Sequence, residues 1–144
     1  MHTEHLSNVS VPSILIGWVI SVAVTSLLVF LVTAAGWLSD GGAGTGWAVL
    51  AVAIGFFAGG YLTGTRDIEA PILHGVGIGL TTLVAWFVVN VLATFFVDDA
   101  SYSNLSAATT AGLLLLQMMA AIAGAWIADR RALRGDDLPG EKLG

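Results

Sequence analysis

Residues 51–66, with the sequence AVAIGFFAGGYLTGTR, give the strongest indication of the fold of this chain. It is apolar along most of its length, and small residues recur at every fourth position: Ala51, Gly55, Gly59 and Thr63. A tyrosine and then an arginine stand near its end. This pattern is typical of a membrane-spanning helix that packs closely on a neighbour and stops at a charged membrane surface. The segment therefore predicts a transmembrane helix.

The composition of the whole chain extends this prediction to a polytopic membrane protein. Of its 144 residues, 56% are hydrophobic and only 10% are charged, whereas a globular chain carries roughly 25% charged residues. Four long stretches contain no charge, and each is near or above the roughly 20 apolar residues that cross a bilayer. We therefore expect an all-α bundle of four transmembrane helices, with the lipid bilayer as its first partner.

The predicted domain organisation has three parts. A cytoplasmic segment covers residues 1–12, a four-span membrane domain covers 13–128, and a cytoplasmic tail covers 129–144. The expected spans are about 13–35, 46–64, 72–97 and 106–128. A cleaved signal peptide ending at 33–35 is an alternative for the first span, but its polar start contains no Lys or Arg and its apolar run is too long.

The distribution of basic residues predicts the orientation. All five lie on one side of a four-span arrangement, and the two opposite loops contain none; they are Arg66, Arg130, Arg131, Arg134 and Lys142. Cytoplasmic loops of membrane proteins carry an excess of Lys and Arg. Both termini are therefore predicted to be cytoplasmic, with Arg66, Arg130 and Arg131 as anchors on that side.

A sequence echo 65 residues apart suggests two repeated helical hairpins. Residues 58–63 (AGGYLT) align with residues 123–128 (AGAWIA), and Arg66 falls on Arg131. Spans 1 and 3 match poorly, so a chance similarity between two apolar helices remains the alternative.

Small residues mark the predicted contacts between helices: Gly55, Gly59, Gly60, Gly64, Gly75, Gly79, Ala120 and Gly124. Inside lipid the hydrophobic effect does not drive helices together, so close packing at small side chains must do so. We expect most of these residues to pack helices of the same chain; a face for self-association, or a substrate path lined by backbone, is the alternative.

Two amide side chains, Asn90 and Gln117, lie deep in the apolar spans. We expect them to come within reach of each other across antiparallel helices; lining a path for a small solute is the second interpretation. The intramembrane hydroxyl residues, among them Ser21, Thr25 and Thr82, can bond to carbonyls of their own helix. No acidic or basic residue lies inside a span, although ion and proton couplers usually carry one.

No pattern in the chain indicates catalysis, a cofactor or a metal. The absence of cysteine excludes disulfides, thiolate catalysis and iron–sulfur ligation. The three histidines have no known metal-ligand spacing, and His74 could instead bond to the preceding turn. With a net charge of −5 and no basic face, nucleic acid is not an expected partner.

The run Gly59-Gly60-Tyr61-Leu62-Thr63-Gly64-Thr65-Arg66, followed by His74-Gly75, resembles a group of small four-helix bacterial membrane proteins of unknown function. In that group a GG-aromatic-x-x-G-x-basic segment ends the second span and a glycine-rich third span follows. The resemblance covers about residues 50–85 and implies a bacterial cytoplasmic-membrane protein with cytoplasmic termini. It supplies no activity.

The functional expectation is a non-enzymatic membrane protein that acts through helix packing, with itself or with a partner membrane protein. The alternative is an oligomeric channel or transporter for a small solute.

Overall fold

The computed structural model describes residues 10–37, 42–66, 70–96 and 107–136. Four helices follow one another along the chain: α1 (Val11–Ala34), α2 (Gly42–Arg66), α3 (Pro71–Phe96) and α4 (Ala107–Asp136). All four are long and apolar enough to cross a membrane, and the described ranges contain no strand. The predicted fold class is therefore confirmed: the chain is a multi-pass, all-α membrane protein.

Several predicted features lie outside the described residues. These are most of the N-terminal segment, much of the glycine-rich connection, the polar turn after Arg66, the polar loop before the fourth span and the end of the tail: residues 1–9, 38–41, 67–69, 97–106 and 137–144.

Local sequence accounts for the helix ends. The side chain of Ser10 caps α1 by accepting a hydrogen bond from the Ser13 amide. Gly36 follows the C-cap with φ of +76°, a left-handed conformation that glycine adopts without a Cβ penalty. Pro71 occupies the first position of α3, where its missing N–H costs nothing. The helix α4 continues beyond the predicted span end near residue 128 to Asp136, because Ala, Leu and Arg favour helix outside an apolar span as well.

Contacts between the helices define their directions. Along α1, Gly17 faces Gly59 of α2 whereas Thr25 faces Gly55, so these two helices are antiparallel. The helices α2 and α4 pack on each other in parallel, and α3 packs against α4 and α1. We call the end where α2 and α4 carry Arg66, Arg130 and Arg131 the arginine end. The opposite end, where α1 and α3 finish, is the open end.

The helix α2 is the centre of the bundle because it presents two glycine faces. Gly55 and Gly59 lie directly against Ser21 and its neighbours on α1. Gly60 and Gly64 lie against the backbone of α4, and a Cβ on Gly64 would stand 2.6 Å from the carbonyl oxygen of Ala125. No side chain fits into such contacts, so both helices approach α2 to backbone distance.

The two hairpins lie side by side, with their first helices parallel to each other and their second helices parallel to each other. Hydrogen bonds from α1 to α3 join residues 64 positions apart, at Ser10–His74 and at Trp18–Thr82. The echoed segments of α2 and α4 face each other, since Gly124 lies against the backbone of Phe57 and Tyr61. The similarity of residues 58–63 and 123–128 therefore coincides with two parallel helices that meet at small residues.

Candidate functional site

The remaining predicted packing residues also lie between helices of this one chain. On α3, Gly75 and Gly79 face α4, where a Cβ on either would meet an atom at 2.7 Å. On α4, Gly124 faces α2, and Ala120 packs against the small apolar cluster at the centre of the bundle. All eight residues are thus committed to the internal packing of the bundle.

The C-terminal part of α3, toward the open end, separates from this tightly packed region. Every residue from 86 to 92 is exposed, including Phe87 at 62% and Val89 at 55%. Seven consecutive residues cover nearly two turns, so no side of this segment is buried against the described part of the chain. The bundle is closed near the arginine end and spreads toward the open end.

A cavity of about 390 Å³ lies where the helices begin to spread. All four helices contribute to its wall, with three aromatic side chains and four polar ones: Trp18, Phe56, Trp86, Thr25, Ser26, Thr82 and Gln117. The described residues that line it include no charged side chain. Its volume falls within the range of roughly 300–1,000 Å³ found for small-molecule sites.

Two buried polar atoms belonging to residues that line the cavity have no hydrogen-bond partner among the described residues. They are Oε1 of Gln117 and Oγ1 of Thr25. A buried polar atom without a partner costs about 1–3 kcal/mol. Ser21 and Thr82 donate to carbonyls of their own helices, as predicted for the hydroxyl residues, but Thr25 does not, because its Oγ1 lies against Gly55.

The expected pair of amides is not formed. The Nδ2 of Asn90 donates to the carbonyl oxygen of Trp86, one turn earlier on the same helix, at 2.8 Å. Asn90 is exposed on the spreading part of α3, whereas Gln117 lines the cavity. The prediction that the two side chains meet was wrong, because it assumed that α3 and α4 stay in contact as far as Asn90.

His74 is fully buried at the arginine end. Its Nδ1 lies 2.7 Å from the carbonyl oxygen of Ala70, and its Nε2 lies 3.1 Å from the backbone nitrogen of Ser10. A carbonyl can only accept and an amide can only donate, so Nδ1 carries the proton and Nε2 is bare. Both ring nitrogens thus join α3 to itself and to α1.

The arginine end carries two contacts between a cation and an aromatic ring. The guanidinium of Arg130 lies 3.7 Å from the ring centre of Trp126. That of Arg131 lies 5.7 Å from the ring centre of Tyr61, and its Nη1 donates to the Tyr61 hydroxyl at 3.4 Å. Arg66 ends α2 and is exposed. Tyr61 and Trp126, which occupy corresponding positions in the sequence echo, are thus each in contact with an arginine of α4.

The outward side of α4 carries a row of two small residues followed by two larger apolar ones. Ala108, Gly112, Leu115 and Met119 are all exposed and follow one another at spacings of four, three and four residues. Within the described chain, a Cβ on Gly112 would meet no atom within 4 Å. We call these four residues the α4 outer stripe.

Comparison with protein-family models, with curated proteins and with solved structures finds no match. Among the described residues there is no group of three or more side chains that could hold a metal ion. The site must therefore be interpreted from its own geometry.

Sequence reasoning missed the hydrogen bond from Trp18 Nε1 to Oγ1 of Thr82, 3.1 Å long, which joins α1 to α3 beside the cavity. It also missed the cavity. The only available signal was the presence of Trp18 and Trp86 well inside their spans, away from the membrane interfaces where tryptophan usually lies.

Proposed function

We propose that this chain is a non-enzymatic membrane protein that acts by associating with a second copy of itself through the α4 outer stripe. The observation that carries the proposal is Gly112. A glycine inside a helix costs about 0.5–1 kcal/mol relative to alanine. The glycines that face a neighbouring helix compensate for this cost by allowing close approach, but Gly112 has no such neighbour in the described chain.

The α4 outer stripe has the form of a helix-association face. Ala108 and Gly112 make a small-xxx-small pair, which allows the backbone of another helix to come close. Leu115 and Met119 lie on the same face of α4, each about one helical turn beyond the residue before it in the stripe. Two copies in one membrane can bring this face together about a two-fold axis, because the same surface is then used on both sides.

The proposed location rests on the basic residues. Arg66, Arg130 and Arg131 gather at one end of the bundle, which we assign to the cytoplasm by the positive-inside rule. Both termini are then cytoplasmic. The resemblance of residues 50–85 to small bacterial membrane proteins supports a place in the bacterial cytoplasmic membrane.

Disulfide crosslinking in native membranes tests self-association, and the chain suits it because it contains no cysteine. Ala108→Cys should give a disulfide dimer under mild oxidation. Val84→Cys, which is 60% exposed on α3, is the matched control and should stay monomeric.

A second pair of variants tests the role of Gly112 in that dimer. In the Ala108→Cys background, Gly112→Leu should abolish the crosslink because its side chain holds the helices apart. Gly46→Leu should not, although Gly46 is another helical glycine at which a Cβ would meet no described atom within 4 Å. Equal crosslinking of all variants would refute the proposal, and a crosslinked product of another mass would indicate a foreign partner instead.

The cavity supports a second candidate, an oligomeric channel for a small uncharged solute. The polar groups of Gln117 and Thr25 would then line part of its route. In proteoliposomes, glycerol entry should exceed that of empty liposomes and fall in Gln117→Leu but not in Asn90→Leu. Glycerol entry no faster than in empty liposomes would eliminate this candidate.

A further inference from the structure

The cavity opens sideways, between α1 and α3. Its rim is formed by Val22 and Ser26 of α1 and by Trp86 and Val89 of α3, and all four residues are exposed. Because both helices span the membrane, this opening faces the lipid chains. A molecule dissolved in the bilayer could enter it without passing through water.

The wall of the cavity defines the chemistry of an occupant. Trp18, Phe56 and Trp86 provide aromatic surface, and no charged group is among the described lining residues. An ion would have to enter without a counter-charge, which is very costly in a membrane. The wall does contain one amide, that of Gln117, whose Oε1 has no protein partner in the described chain.

We propose that the cavity binds an uncharged, mainly apolar small molecule that carries one hydroxyl or amide group, and that this group hydrogen-bonds to the side chain of Gln117. Apolar and aromatic walls with a few hydrogen-bonding groups are the usual composition of small-molecule sites, in which the polar groups fix the orientation of the ligand.

A lipid acyl chain fits this wall less well. A hydrocarbon chain can fill the apolar space, but it offers no hydrogen bond to the side-chain amide of Gln117. Buried polar atoms in proteins are almost always paired, so an occupant with a donor removes a cost that an acyl chain leaves in place.

The binding site is separate from the α4 outer stripe. Its opening lies between α1 and α3, whereas Gly112 lies on the outward side of α4 and does not line the cavity. The inference therefore goes beyond self-association and can be tested on its own.

Tryptophan quenching by a matched pair of brominated compounds tests the proposal. The full chain is placed in phosphatidylcholine liposomes with Trp37, Trp47 and Trp126 each replaced by Phe, so that the emission comes from Trp18 and Trp86. The probes are para-bromobenzyl alcohol and para-bromotoluene, which differ by one oxygen atom. Compared at equal concentrations in the membrane, the alcohol should quench saturably and bind about fivefold to tenfold more tightly, the effect of one hydrogen bond.

Three variants locate the interaction. Gln117→Leu should make the two probes bind equally, whereas Asn90→Leu, the same change at the exposed amide, should leave their difference intact. Ala85→Phe places a larger side chain in the cavity and should weaken the binding of both probes, while Gln117 is kept. This last variant keeps the proposal testable if Gln117→Leu does not fold.

Several results would overturn the inference. Equal affinity of the two probes for the parent chain, quenching that never saturates, or an unchanged preference in Gln117→Leu would each do so. A third experiment uses phosphatidylcholine brominated in its acyl chains. Because Trp86 is itself exposed toward the lipid, this experiment uses a variant in which Trp86 is also replaced by Phe. If the lipid quenches the remaining Trp18 as deeply as the saturating alcohol does, the occupant is an acyl chain and the proposal is wrong.

Discussion

The backbone amide of Ser10 donates a hydrogen bond to Nε2 of the buried His74 at 3.1 Å. Ser10 is the N-cap of α1, and His74 lies in the first turn of α3. One of the amides left unpaired at a helix start is thus satisfied by a side chain 64 residues away. The contact ties together the starts of two parallel helices that have no short connection between them.

We expect His74→Ala to destabilise the bundle by about 1–3 kcal/mol, because it leaves the Ser10 amide without the ring nitrogen that accepts its hydrogen bond. His74→Gln should recover part of this loss, since its side-chain amide can still offer an acceptor. Thermal unfolding in detergent, followed by circular dichroism, measures the effect. Thr65→Ala is the control: it is exposed and its hydroxyl bonds only within α2, so the prediction is refuted if both variants melt alike.

The two glycine faces of α2 should respond independently to an added methyl group. Gly59→Ala forces a Cβ into α1, and Gly60→Ala forces one into the backbone of Ala121 on α4. Overpacking of this kind typically costs about 1–3 kcal/mol.

Gly46→Ala is the opposite case, because its Cβ would meet no described atom. This substitution should raise stability by roughly 0.5–1 kcal/mol, the difference in helix propensity. Unfolding of the three variants in detergent separates the two effects. A loss of stability in Gly46→Ala, or none in Gly60→Ala, would contradict the packing described for α2.

The hydrogen bond from Trp18 to Thr82 should appear as an energetic coupling between α1 and α3. A double-mutant cycle with Trp18→Phe and Thr82→Val is expected to give about 0.6 kcal/mol, the average for hydrogen bonds between membrane helices. A second cycle with Thr81→Val serves as reference, because the Thr81 hydroxyl bonds to Gly77 of its own helix. The second cycle should show no coupling, and equal values in both would argue against the bond.

The proposed orientation can be tested with single cysteines at the two ends of the bundle. Thr65 is exposed at the arginine end, and Ala35 is exposed just after α1 at the open end. In intact cells, a maleimide that cannot cross the membrane should label Ala35→Cys but not Thr65→Cys. After the cells are broken, both should react. The reverse pattern would place the arginine end outside.

Much of the packing could be anticipated from sequence, but the candidate site could not. Small residues at Gly55, Gly59, Gly60 and Gly64 predict close contacts because only a few residue types allow helix backbones to approach. They do not say which neighbour each one meets. Asn90 and Gln117 show the limit: both are amides deep in apolar spans, yet one bonds to its own helix and the other lines a cavity.

The four spans and the one basic end can be read directly from the order of the residues. Length, apolar composition and charge are properties of each segment alone, and the cost of placing polar groups in lipid depends on them directly. Three features became visible only in the folded bundle. They are the division of the α2 glycines between α1 and α4, the contact of Ser10 with His74, and the spreading of α3 that forms the cavity. These features depend on how each helix is rotated and tilted against its neighbours. In lipid that choice is made by shape and hydrogen bonding between residues far apart in the chain, because no hydrophobic face directs it.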